Sequence, residues 1–136
     1  MPASPERLTP DAAPPPGQGL AIAAEALYLL NLLLLPGLAF LALLWLYLHR
    51  RDDVPPLARG HLRQTLSASL WAGALLAFVS LALIVLGGYD TAWTWVVVIL
   101  YFTTAHTTLV VLGTIGLARA LAGQPYRFPL VGNLLP

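Results

Sequence analysis

The stretch that decides the fold is Ala92 to Leu130, AWTWVVVILYFTTAHTTLVVLGTIGLARALAGQPYRFPL. From Ala92 to Leu117 it carries no formal charge, and a helix of about 20 apolar residues already crosses a bilayer core of ~30 Å. Trp93 and Trp95 at its start suit one headgroup boundary, and Arg119 at its end suits the cytoplasmic one. Beyond Gly123, Pro125 and Pro129 cannot continue a helix, so the chain turns and runs extended along the membrane surface.

Composition agrees with a membrane domain. The 136 residues are 58% hydrophobic and only 10% charged, whereas soluble domains run near ~25% charged. A net charge of +1 supplies no basic stripe, so no nucleic-acid role is expected. The absence of cysteine excludes disulfides and thiolate chemistry. All seven basic residues are arginine, which together with the Ala and Leu load points to a GC-rich bacterial genome.

Working outward, two further apolar runs precede the first. Residues 20–48 (LAIAAEALYLLNLLLLPGLAFLALLWLYL) would make ~43 Å of helix, longer than a perpendicular crossing needs, with a kink at Pro36-Gly37. Residues 66–86 have the length of one crossing. The link between them, HRRDDVPPLARGHLRQ, breaks at Pro55-Pro56 and restarts as a short interfacial helix over 57–64. Gly87 to Thr91 is a tight turn that forces the second and third runs to lie antiparallel.

The expected fold is therefore all-α, with three transmembrane helices and an interfacial helix before the second. Residues 1–19, rich in Pro and Ala, are a retained tail, disordered or bound by a partner. Residues 20–119 are the membrane domain, and residues 120–136 an extended cytoplasmic tail. Arginines concentrate in the first link (Arg50, Arg51, Arg59, Arg63) and after the third run (Arg119, Arg127), which places the N-terminus in the periplasm and the C-terminus in the cytoplasm of a bacterial inner membrane. A re-entrant pair of half-helices broken at Pro36 would instead bring the N-terminus inside.

Polar groups within the runs are the candidate functional residues, because each is costly in hydrocarbon. Glu25, Asn31, Thr103, His106 and Thr107 qualify. By the helical rise, Glu25 lies ~7 Å and Asn31 ~16 Å into the first run, and His106 lies ~21 Å past Ala92. A bond from Asn31 to His106 or Thr103 therefore fits better than a Glu25 to His106 ion pair. His106 suits a haem or metal ligand, a proton relay, or an imidazole bonded to a threonine hydroxyl or a carbonyl. A bis-histidine haem needs a second imidazole at that depth, and His49 and His61 fall at the cytoplasmic edge. Small residues at Ala68/Ala72, Gly73/Ala77 and Gly116/Ala120 allow close helix approach.

At the headgroups the expected contacts are Arg50, Arg51, Arg59, His61, Arg63, Gln64, Tyr126, Arg127 and Phe128, with Tyr126 and Phe128 dipping into the interface. Hydrolase, kinase, P-loop, Rossmann and zinc motifs are missing. The chain is accordingly expected to be no enzyme, to carry no cofactor beyond bound lipid, and to pack as an accessory or stabilising subunit on a larger membrane complex or on copies of itself.

The order of features resembles a family of small bacterial membrane proteins of the Tic-twenty-like group. The residues that carry the resemblance are His61-Leu62-Arg63-Gln64-Thr65-Leu66 before the second run and Gly123-Gln124-Pro125-Tyr126-Arg127-Phe128-Pro129-Leu130 after the third. Pro125, and Ser67 or Ser69, depart from the family's usual residues. The resemblance implies the three-span topology and offers, as an alternative function, an oligomeric channel or translocation component. A redox subunit built on His106 is the remaining alternative.

Overall fold

The computed structural model describes residues 12–50 and 52–129. The expectations for residues 1–11, for Arg51 and for residues 130–136 lie outside the described residues. Everything described is helix, turn or coil, with no strand among the described residues. In chain order the elements are α1 (Gln18–Leu33), α2 (Leu38–Arg50), α3 (Pro56–Gly73), a π-helical segment (Ala74–Val79), α4 (Ser80–Gly87) and α5 (Ala92–Leu121).

Two rods are long and apolar enough to cross a membrane. One is the continuous helix Pro56–Gly87, 32 residues built from α3, the π segment and α4, and the other is α5, 30 residues. The expected third crossing is corrected. Residues 20–48 form no single long helix but two shorter ones, of 16 and 13 residues, ~24 Å and ~20 Å long.

The break has a local cause. Pro36 has no N–H to give to a helix, and Gly37 adopts φ 87°, a left-handed conformation that a side chain rarely tolerates. The chain therefore reverses, and α2 runs back along α1, so that Leu43 and Ala24 share one buried cluster with Val54, Ala58, Leu62 and Leu66. This is the re-entrant arrangement.

A reversal inside hydrocarbon exposes backbone groups that lipid cannot satisfy. Several of them are capped here. Leu34 and Leu35 N–H both donate to the Leu30 carbonyl, the Gly37 N–H donates to Asn31 Oδ1 at 2.9 Å, and His106 Nε2–H donates to the Leu32 carbonyl at 3.1 Å.

The direction of each element follows from its partners. Gln18 Nε2 donates to the carbonyls of Ala120 (3.2 Å) and Leu121 (2.7 Å), and Tyr28 Oη donates to the Leu109 carbonyl at 3.2 Å. So α1 lies antiparallel to the second half of α5, from its end as far as His106. Gly17 abuts Pro55 and Ala58 at the start of α3, so α1 and α3 begin at the same level. The start of α1, the start of α3 and the end of α5 therefore share one end of the bundle, the arginine-rich end.

This arrangement corrects the expected orientation. With α1 and α2 forming a hairpin, the chain leaving Gly17 lies on the same side as the chain leaving Leu121, not across the membrane from it. The interfacial helix over 57–64 is corrected as well: α3 begins at Pro56 and continues without interruption into the span, because Pro56 occupies a first-turn position where its missing N–H costs nothing.

The far end is simpler. Gly88 and Thr91 bound a short turn, with the Thr91 N–H donating to the Gly88 carbonyl at 3.3 Å, and α4 pairs with the first part of α5. Tyr101 Oη donates to the Leu75 carbonyl at 2.7 Å, satisfying a group within the widened π turn.

Candidate functional site

The residues that matter most meet at the level of the second turn of α3. The H-x-x-Q spacing puts His61 and Gln64 on one face of α3, and that face is turned inward against α1 and α5. Glu25 on α1 meets both. Glu25 Oε1 lies 2.6 Å from His61 Nδ1 and accepts from Gln64 Nε2 at 2.5 Å. His61 Nε2–H donates to the Gln124 carbonyl, just after α5, at 3.0 Å. All three side chains are 1% exposed or less, so the charge of a lone carboxylate here would be severe without its partners.

Proton bookkeeping follows from the geometry. Nε2 must keep its hydrogen to serve the Gln124 carbonyl, so the Nδ1···Oε1 contact needs one more proton, wherever along that short line it resides. The pair is neutral overall, which is what a hydrocarbon-depth site tolerates. Thr65 Oγ1 donates to the His61 carbonyl at 2.7 Å, and Arg119 Nη1 donates to Gln124 Oε1 at 2.7 Å. The knot thus ties α1, α3 and the segment after α5 together.

It fits because α5 is glycine there. A Cβ on Gly116 would stand on the Glu25 carboxylate, and one on Gly113 would stand on the Tyr28 ring, so these two positions form a groove that receives α1. The small residues on α5 and on α3 therefore pack within the chain: Ala68, Ala72 and Ala120 are buried. Gly73 and Ala77 are exposed.

The tail closes the site. Phe128 is 3% exposed and packs on Tyr28 with ring centroids 5.2 Å apart, while Tyr126 meets Phe128 edge-on at 5.3 Å. Partial burial and the nearby Glu25 carboxylate push the Tyr126 hydroxyl above its usual range, opposed by Arg119. Arg127 is exposed.

The placement of the sequence-derived candidates differs in several respects. Glu25 is the centre of the buried knot, and His61 and Gln64, expected among headgroups, are its partners. Phe128 fills the bundle rather than the interface, because Tyr28 and Ala68 offer it an apolar seat. Asn31 and His106 do not bond each other; each caps backbone at the hairpin tip. Thr103 and Thr107 face outward on α5.

Of the arginines, Arg59 steadies the link by donating to the Asp52 and Val54 carbonyls at 3.4 and 3.2 Å. Arg50 is exposed and Arg63 half-buried. The knot itself had a signal in the sequence: Glu25 is the one carboxylate within an apolar run, and His61 and Gln64 lie one turn apart with no other reason to share a face.

Beside the hairpin tip lies a cleft of about 560 Å³, bounded by Pro36, Gly37 and Phe40 on one side and by Ala74, Phe78 and Phe102 on the other. Its walls are mostly apolar, and it opens to the side of the bundle.

Taken together, two membrane-length rods, a re-entrant hairpin and a polar knot locked inside define a helical membrane protein whose buried polar groups serve its own architecture. A family model described as the magnetosome magnetite crystal formation protein family matches residues 18–135, and the chain belongs to that family. This replaces the Tic-twenty-like assignment drawn from the tail motif. No curated protein and no solved structure matches the chain.

Proposed function

We propose that this chain is a non-catalytic integral membrane subunit that supports the membrane assembly in which its family forms magnetite. The observation that supports this most is the use made of the buried ionisable side chains. Glu25, His61 and Gln64 bond to one another and to the Gln124 carbonyl, with Glu25 Oε2 and Gln64 Oε1 enclosed beside them without a partner among the described residues, and none of the three lines the cleft.

The charge distribution supports the same reading. Among the described residues, Asp90 is the one charged side chain at the far end, whereas Arg50, Arg59, Arg63, Arg119 and Arg127 lie toward the other. A surface that templates a mineral by carboxylate arrays would need more acid than the far turn offers. Contact with partners and anionic headgroups at the arginine-rich end, held cytoplasmic by the positive-inside bias, suits the chain better. The membrane concerned would then be the bacterial inner membrane or one derived from it.

The test is capture of the full chain from a magnetite-forming host in mild detergent, followed by mass spectrometry. A defined set of co-purifying membrane proteins, diminished when residues 126–136 are removed, is the expected result. Recovery of the chain alone at monomer mass would refute the subunit reading.

A further inference from the structure

We propose that the protein is a wedge that favours strongly curved membranes, with the leaflet at its arginine-rich end on the convex side. The inference goes beyond the subunit role and rests on the fold alone.

The geometry is a matter of counting helices by depth. Trp93 and Arg119 bracket α5 at ~39 Å, close to the ~40–45 Å of a bilayer with its headgroups. The residue midway between them is His106, and His106 is where α1 ends, its Nε2 on the Leu32 carbonyl. The hairpin tip therefore lies near the midplane.

In the leaflet at the arginine-rich end, α1, α2, α3 and the second half of α5 stand together. In the other leaflet only the continuation of α3 through α4 and the first half of α5 remain, and among the described residues α4 packs on α5 and the adjoining π segment alone. Two extra helices of about 10–12 Å diameter occupy one leaflet with nothing beneath them.

Three features keep that asymmetry from relaxing. The knot of Glu25, His61 and Gln64 fastens the hairpin to α3, the bonds that Asn31 and His106 make to the turn's backbone hold its tip at mid-depth, and the Gly113 and Gly116 groove holds α1 against α5. The mostly apolar cleft beside the tip is space for hydrocarbon tails, since an apolar void at this depth gains nothing from water. A body broad in one leaflet and narrow in the other lowers the bending cost where the broad leaflet is the outer one.

The experiment uses the full chain carrying Asp90→Cys, whose thiol is the sole one in the sequence, reconstituted sparsely into phosphatidylethanolamine and phosphatidylglycerol vesicles. Small sonicated and large extruded vesicles are mixed, and protein per unit membrane area is read vesicle by vesicle. We expect severalfold enrichment in the small vesicles, with the Asp90→Cys thiol shielded inside them from an impermeant maleimide.

Equal density in both sizes, or a thiol facing outward in the small vesicles, would overturn the proposal. Glu25→Leu and, separately, Tyr28→Ala unfasten the hairpin while leaving both rods. Each should lose the size preference while keeping its helical circular dichroism, and full retention in a helical variant would assign the effect to the rods and overturn the wedge. Because only lipid is present, failure here leaves the partner-capture result untouched.

Discussion

The two halves of this molecule are built on different rules. At the arginine-rich end four helical segments enclose a buried polar knot and an aromatic tail, and side chains such as Ala24, Tyr28, Leu43 and Leu62 are wholly enclosed. At the far end the π segment and α4 contain no buried residue at all, and Phe78, Val85 and Leu86 are 72%, 71% and 86% exposed. One half resembles a small soluble core set into lipid. The other is a pair of rods that relies on the bilayer to cover its apolar surface.

That contrast can be broken experimentally, and the strongest blow falls on the knot. Removing one partner of a buried charged pair strands the other, at a cost of roughly 3–5 kcal/mol, so Glu25→Ala and His61→Ala should each lower the thermal midpoint in detergent sharply. Phe128→Ala empties a seat on Tyr28 and should cost about 3 kcal/mol, with tail proteolysis as the second readout. Gly116→Ala should cost about 1–3 kcal/mol through overpacking; Gly73→Ala, where a Cβ meets open space, should not destabilise.

Smaller still is His106→Ala, which leaves the Leu32 carbonyl uncapped and should cost about 1 kcal/mol, read by the same melt. At the far end Asp90→Asn should leave the midpoint unchanged. If Asp90→Asn proved as damaging as Glu25→Ala, the division between an integrated half and a lipid-dependent half would collapse.

Much of the helical content was legible in the sequence, because uncharged runs of membrane length admit few alternatives. The long rod of α5 and the tight turn before it followed from charge and glycine placement. The first run was harder. Its hydropathy is continuous from 20 to 48, and hydropathy measures solubility in lipid without saying whether a chain passes through or turns back. The deciding marks were Pro36-Gly37 together with Asn31, a side chain placed to bond the broken backbone.

The knot was missed for a related reason. His61 and Gln64 follow a basic link, and proximity to Arg59 and Arg63 suggests headgroups. Glu25, measured from the start of the run, looks shallow. Only when α1 is known to begin level with α3 do the three fall at one depth, and that alignment is a tertiary fact carried by Gly17 against Pro55 and Ala58.

The π segment of the long rod sets the angular phase of everything after it. Along α3 the inward positions include Leu62, Thr65, Ala68, Ser69 and Ala72, spaced by the 3.6-residue period of an α-helix. The widened turn interrupts that period, and beyond it Gly87 meets Thr94 so closely that a Cβ there would collide with the threonine, while Leu86 points to lipid. Inserting one residue between Ala74 and Val79 would bring Leu86 to the place Gly87 now holds, a space cut for hydrogen, and the hairpin of α4 and α5 would have to part.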